Sequence, residues 1–188
     1  LTPNHYHADL ERTGILLEPA EYPWCTDWHR DWRYHMPEEV FESEFREEWD
    51  EQTFDIDAMN QINCALYDDP STWIVPGSHY RQRNLPGEVT AKRAFDAEKH
   101  RGKPTVSNTQ RERDCLAYVT GMPGAVQLRL NAGDFALYRS SAWHIGNYVP
   151  YRKRATIHDF CGTPAWSDYV RERVPRKDEA MAQLKTAT

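Results

Sequence analysis

Short stretches in which apolar and polar residues alternate, each closed by Gly, Pro, Asn or Asp, dominate this chain and predict β-strands more often than helices. Residues Tyr6 to Leu17 end in the apolar run Ile15, Leu16 and Leu17 before Glu18-Pro19 and read as one or two short strands. An aromatic stretch follows with Tyr22, Trp24, Trp28, Trp32 and Tyr34, and Pro23 excludes regular helix at its start. Strand signals at Gln61 to Tyr67 and Thr72 to Val75, separated by Asp68-Asp69-Pro70, predict a hairpin. From Ala125 to Leu130 the pattern points Val126, Leu128 and Leu130 one way and Gln127 and Arg129 the other, a half-buried strand. Asn131-Ala132-Gly133-Asp134 then makes a turn, and Phe135 to Tyr138 and Arg154 to Phe160 are two further strands.

Helical spacing is confined to a few places. Pro37 opens a segment in which Phe41, Phe45 and Trp49 recur every four residues, and the acidic residues between them form a solvated face. Residues Leu85 to Asn108 are a polar excursion with a helix around Glu88 to His100, the kind of segment that covers active sites. The tail from Ser167 is charged and reads as helical. No internal repeat is present. The sum predicts a mainly β domain with peripheral helices, an antiparallel sandwich or jelly roll.

Composition narrows the setting. At 188 residues the chain suits one domain with one core, and its 39% hydrophobic and 28% charged residues are those of a folded globular protein. The formal net charge of -6 gives nucleic acid no general electrostatic attraction, so no nucleic-acid partner is expected. No apolar run approaches the roughly 20 residues that span a bilayer, and the polar opening is unlike a signal peptide, which makes a soluble, cytoplasmic protein the expectation. Cys25, Cys64, Cys115 and Cys161 are widely separated and expected to be free, partly buried thiols. Because the chain opens on Leu and runs directly into strand-like sequence, an N-terminal portion is expected to be absent.

Candidate chemistry begins at His29-Arg30-Asp31. On an extended strand residues i and i+2 share a face, so the imidazole of His29 and the carboxylate of Asp31 can reach one metal ion. A non-haem iron centre needs two imidazoles and one carboxylate on one side of the metal, with the remaining positions open. The tripeptide alone is weak, since His7-Ala8-Asp9 has the same form and a pair of surface polar residues is the commoner origin of such a pattern.

The order of three later blocks is more specific. Asn63-Cys64-Ala65-Leu66-Tyr67-Asp68-Asp69 is followed by Trp73-Ile74-Val75-Pro76-Gly77-Ser78-His79; later come Ala132-Gly133-Asp134, Trp143-His144, Asn147 and Arg154. In this arrangement the chain, from about Trp24 to Phe160, resembles the phytanoyl-CoA dioxygenase family of Fe(II) and 2-oxoglutarate-dependent oxygenases. The resemblance implies a double-stranded β-helix, the cupin-like jelly roll, with core about 24–160 in a single domain 1–188. It implies that His29, Asp31 and His144 bind Fe(II), and the spacing to the later blocks favours this pair over His7 and Asp9. Arg154 is implied to hold the distal carboxylate of 2-oxoglutarate, a task suited to a guanidinium fork. Arg152 is the alternative, because the loop from His144 to Asn147 is shorter than the family's common form. His79 is read as part of a turn rather than as a ligand.

The implied reaction is hydroxylation of a C–H bond of a small organic substrate, with 2-oxoglutarate and O2 as co-substrates. Asp31 favours oxygenation, since related halogenases replace that carboxylate with a small residue. Trp24, Trp28, Trp32 and Trp143 flank the ligands and serve as core packing before cavity lining. Arg30 would point away from the metal on a regular strand. The rival expectations are a non-catalytic jelly-roll binding protein and a cupin-like metal enzyme that does not use 2-oxoglutarate.

Overall fold

The computed structural model describes Tyr6–His7 and residues 14–31, 40–47, 50–51, 55, 58–81, 83–94 and 105–166, with 168, 171–172, 179 and 182–183 of the tail. Nine strands are found among the described residues: β1 (Tyr6–His7), β2 (Gly14–Leu17), β3 (Trp24–Cys25), β4 (Asn60–Ala65), β5 (Thr72–Ile74), β6 (Val126–Gln127), β7 (Phe135–Arg139), β8 (His144–Tyr148) and β9 (Ala155–Gly162). Two helices are described, α1 (Pro86–Arg93) inside the excursion and α2 (Asn108–Thr120) directly after it, and a π-helical turn spans Phe41–Phe45.

The strands form two antiparallel sheets. In the larger, the order is β1-β9-β4-β7, with β2 also pairing β9; in the smaller it is β3-β8-β5-β6. From β4 to β9 the chain changes sheet at every step except β5 to β6, so strands adjacent in space are mostly distant in sequence. Leu128 and Leu130 follow β6 with backbone bonds to Thr72 and Asp69. Asp134, behind the turn, accepts from the Asn131 amide at 2.8 Å, and Gly133 takes a φ of 90° there that a side chain would resist.

The segments predicted as a hairpin are not one. β4 pairs β7 and β9, whereas β5 pairs β6 and β8, in the other sheet. The reason is Asp69: its backbone bridges Leu130, and its buried carboxylate accepts from Ser71 N at 2.8 Å, Thr156 Oγ1 at 2.6 Å and Arg154 Nε at 3.0 Å. The Asp68-Asp69-Pro70 segment therefore carries the chain between sheets. The strand read across Ala125 to Leu130 is also shorter than expected. Only Val126–Gln127 is strand, Val126 is exposed, and Leu128 and Leu130 are half-buried, because β6 is an edge strand paired with β5 alone.

The apolar core lies outside the small sheet rather than between the sheets. Ser107 caps α2 by accepting from Gln110 N. Cys115, Tyr118, Val119 and Met122 of this segment pack on Cys25, Trp28, Val75, Trp143 and Ile145. That 3–4 residue spacing is a helix signal that the sequence reading passed over. A second cluster joins Phe41 and Phe45 to Val40, Ala58 and Met59, with Trp166 against it, as the helical spacing of the two phenylalanines predicts; Trp49 lies outside the described residues. Trp28 and Trp143 are core residues, while Trp32 lies outside the described residues. The helix predicted to His100 is described only as far as Arg93, and most of the tail lies outside the described residues. All four cysteines are free, three of them buried. No described helix is long and apolar enough to cross a membrane.

Between the sheets the lining is polar. β4 turns Gln61, Asn63 and Ala65 inward and leaves Ile62 and Cys64 on its outer face, opposite in sense to a sheet that packs an apolar face inward. The inner faces of the neighbouring strands bring Tyr138, Thr72, Thr156 and His158 to the same space.

Phe45 is fully buried and Phe135 is 61% exposed, so replacing each by Ala separates core from surface. Phe45→Ala is expected to cost about 3–5 kcal/mol in urea unfolding and Phe135→Ala within about 0.5 kcal/mol of wild type.

Candidate metal centre

Three of the predicted residues converge. The backbones of His29 and His144 pair across strands, with His29 N donating to His144 O at 3.2 Å and His144 N to His29 O at 3.0 Å. Asp31 N donates to Ser140 O at 2.9 Å, so His29 and Asp31 are both tied to the 140–144 segment. The i, i+2 spacing then turns His29 and Asp31 to one face. His29 Nε2 lies 3.8 Å from Asp31 Oδ1 and His144 Nε2 lies 3.9 Å from it. One ligand atom from each residue lies within 4.8 Å of the other two.

The imidazoles are oriented by their other nitrogens. His29 Nδ1 is 2.7 Å from Asp27 O, and His144 Nδ1 is 2.9 Å from Ala142 O. A carbonyl only accepts, so each Nδ1 carries a proton, and in the neutral ring each Nε2 then presents a lone pair to the shared centre. Metal–nitrogen and metal–carboxylate bonds are about 2.0–2.2 Å, so the donors need close in by about 1 Å or less to share one ion. Two neutral imidazoles and one carboxylate are the donor set of a facial ferrous site, and these residues fit that ion. The side chains of His29 and Asp31 remain 17% and 29% exposed against 8% for His144, which leaves one side of the centre open to a ligand.

Burial, and after it the neighbouring His144, push the His29 pKa down to about 4, against the pull of Asp31. In the metal-free protein this shift has a definite sign. Between about pH 6.5 and 4 the unfolded chain binds a proton at this residue that the folded chain refuses, so the folded state is undisturbed above pH 6.5 and loses stability as pH falls through that window.

Arg154 is buried and Arg152 is exposed. The Arg154 guanidinium lies 4.7 Å over the Tyr148 ring, bonds Asp69 through Nε, and reaches Thr156 of the large sheet through that carboxylate. Burial opposes ionisation of Asp69, but hydrogen bonds from Ser71 and Thr156 and the charge of Arg154 outweigh it and hold its carboxyl below the usual range. Arg154 also borders, with Arg152 and Arg129, a cleft of about 460 Å³ that the His29, Asp31 and His144 side chains do not line.

Between the triad and Arg154 stands a set of residues that the sequence reading did not single out. Tyr138 sets its ring edge-on to His144 at 5.5 Å, and its hydroxyl accepts from Asn63 Nδ2 at 3.3 Å. Asn63 also donates to Thr72 Oγ1 at 3.3 Å and accepts from His158 Nδ1 at 2.6 Å. Burial raises the Tyr138 pKa and lowers that of His158, so both are neutral at pH 7. The available signal was Gln61 and Asn63, polar residues two apart on one face of β4.

Arg30 is buried away from the triad, with Nη1 donating to Arg81 O at 3.0 Å and its guanidinium 5.2 Å over the Trp143 ring. His79 sits in the short helical turn Ser78–Tyr80, outside the triad, as its assignment to a turn requires. Of the alternative pair, His7 is in β1 and Asp9 lies outside the described residues. No protein-family model matches this chain, and no curated protein matches it.

Two outcomes test this centre. Mn(II) or Co(II) should raise the melting temperature of wild type and leave Asp31→Ala unchanged within error, read by thermal denaturation after chelator treatment. Urea titrations of the metal-free protein should show a loss of stability from pH 7 to pH 5 that is smaller in His29→Gln than in wild type.

Proposed function

We propose that this chain is an Fe(II) and 2-oxoglutarate-dependent oxygenase of the phytanoyl-CoA dioxygenase type, built on a double-stranded β-helix and hydroxylating a C–H bond of a small organic substrate. The observation that carries this reading is the convergence of His29, Asp31 and His144 with both Nε2 atoms turned to Asp31. Strand order supports the fold assignment: leaving out β1 and numbering the other eight in sequence, the sheets run 1-8-3-6 and 2-7-4-5, the alternation of a jelly roll.

His29, Asp31 and His144 would hold the ferrous ion and leave its open side toward the solvent-accessible edge of the triad. Bound there, ferrous iron with 2-oxoglutarate and dioxygen would supply oxidation of a C–H bond coupled to decarboxylation of the oxo acid, chemistry that no side chain provides. Arg154 holds the distal carboxylate in this reading, and its burial strengthens that contact by keeping water away. Asp69 orients the guanidinium by occupying Nε, which leaves the two terminal nitrogens to face the carboxylate. The neutral polar groups of Asn63, Thr72 and Tyr138 line the path between the two anchors.

The Asp69–Arg154 pair also favours a second reading, a cupin-like metal enzyme without 2-oxoglutarate, because the arginine charge already has an internal counter-ion. The two separate in one experiment. Anaerobic addition of Fe(II) and 2-oxoglutarate should produce the weak visible charge-transfer band of the chelate, absent in Asp31→Ala. Arg154→Ala should weaken 2-oxoglutarate binding roughly 10–100-fold, the loss of one charge-assisted anchor. Metal binding without any band in wild type would select the second reading.

A further inference from the structure

Strand β8 places His144, Gly146 and Tyr148 on one face, since alternate residues of a strand point the same way. Gly146 is required there by its neighbour. A Cβ at this position would stand 1.8 Å from the Tyr148 hydroxyl, 2.2 Å from Cζ and 2.7 Å from Cε2. The phenol therefore folds back along the strand toward His144, its hydroxyl lying over the Gly146 backbone. Its ring is held by Trp24, with centroids 4.8 Å apart, and by the Arg154 guanidinium. The hydroxyl has no hydrogen-bond partner among the described residues, although nearby Asn63 donates to both Thr72 and Tyr138. Thr72 pairs with Gly146 across the sheet, which puts this phenol at the wall of the same polar chamber.

We propose that Tyr148, seated over Gly146, determines which oxo acid the site accepts: its hydroxyl donates to the distal carboxylate beside Arg154, and its ring fixes the distance between that carboxylate and the triad. The proposal rests on the reading of the chamber as a 2-oxo acid site. Burial raises the phenol's pKa, so the group is a proton donor throughout the neutral range, and only a donor suits a carboxylate acceptor. In this reading the ring sets the length available to the diacid, and removing it admits a longer one. The Cβ-free Gly146 is what allows the phenol into this position, so its role follows from the same contact.

The test is anaerobic calorimetry on Mn(II)-loaded protein, a redox-stable stand-in for the ferrous form, titrated with 2-oxoglutarate and with its one-carbon-longer homologue 2-oxoadipate. Wild type should prefer 2-oxoglutarate by about tenfold or more, Tyr148→Phe should weaken 2-oxoglutarate by about tenfold, and Tyr148→Ala should abolish or invert the preference. A ratio of the two affinities in Tyr148→Ala equal to that of wild type overturns the proposal, since a merely structural tyrosine would weaken both acids alike. Tyr148→Phe keeps the ring against Trp24 and Arg154, and an unchanged 2-oxoglutarate affinity in it overturns the hydroxyl's part even where the Ala variant fails to fold. Wild type that binds Mn(II) but neither acid overturns the oxygenase reading together with this one.

Discussion

The backbone pairing of His29 with His144 is the constraint on which the site depends. These residues are separated by most of the chain, and two reciprocal hydrogen bonds bring their rings to a centroid distance of 4.2 Å. Such a pairing persists only because β3 and β8 are neighbours and the buried Trp28 and Trp143, adjacent to the two histidines, lock the same crossing from its opposite side. Asp31 then needs only the period of an extended chain to join them. The centre is thus a product of sheet topology, with the other ring nitrogen of each histidine fixed by a carbonyl two residues earlier.

How much of this was legible in the sequence follows from the range of the forces involved. The His29 and Asp31 pair could be read because its geometry is local, and His144 because a resemblance extended over several motifs placed it; no periodicity would have found it. The burial of Arg154 and exposure of Arg152 followed the same ordering of motifs. Alternation along β4 was visible too, but a two-residue period states that a strand has two faces and not which one is inside. Here the polar face, Gln61 and Asn63, is inside. The hairpin expectation at Asp68-Asp69-Pro70 failed for a related reason: a turn signal marks a change of direction, while the change of sheet is set by the ion pair of Asp69 with Arg154, 85 residues away. Helix α2 is written in the spacing of Cys115, Tyr118 and Val119, but the strongly polar residues between them mask that period.

A polar chamber between the sheets shifts the burden of stability elsewhere. Hydrophobic burial is concentrated where α2 covers the small sheet and where Phe41 and Phe45 close on Met59 and Trp166. Hydrogen bonds among Asn63, Thr72, Tyr138 and His158 contribute little net free energy relative to water, but leaving any of them unmade would be expensive. This polar layer is therefore ordered by its hydrogen bonds without being a source of cohesion.

Strand β8 joins these two regions in a single ribbon. Ile145 faces the helix-covered core while His144 and Gly146 face the chamber. Cohesion and chemistry are thus printed on opposite sides of one strand, so a substitution that repacks the first displaces the second by the same rigid-body movement. A change of volume at Ile145 is therefore transmitted to the backbone that carries His144, although the two side chains face opposite ways.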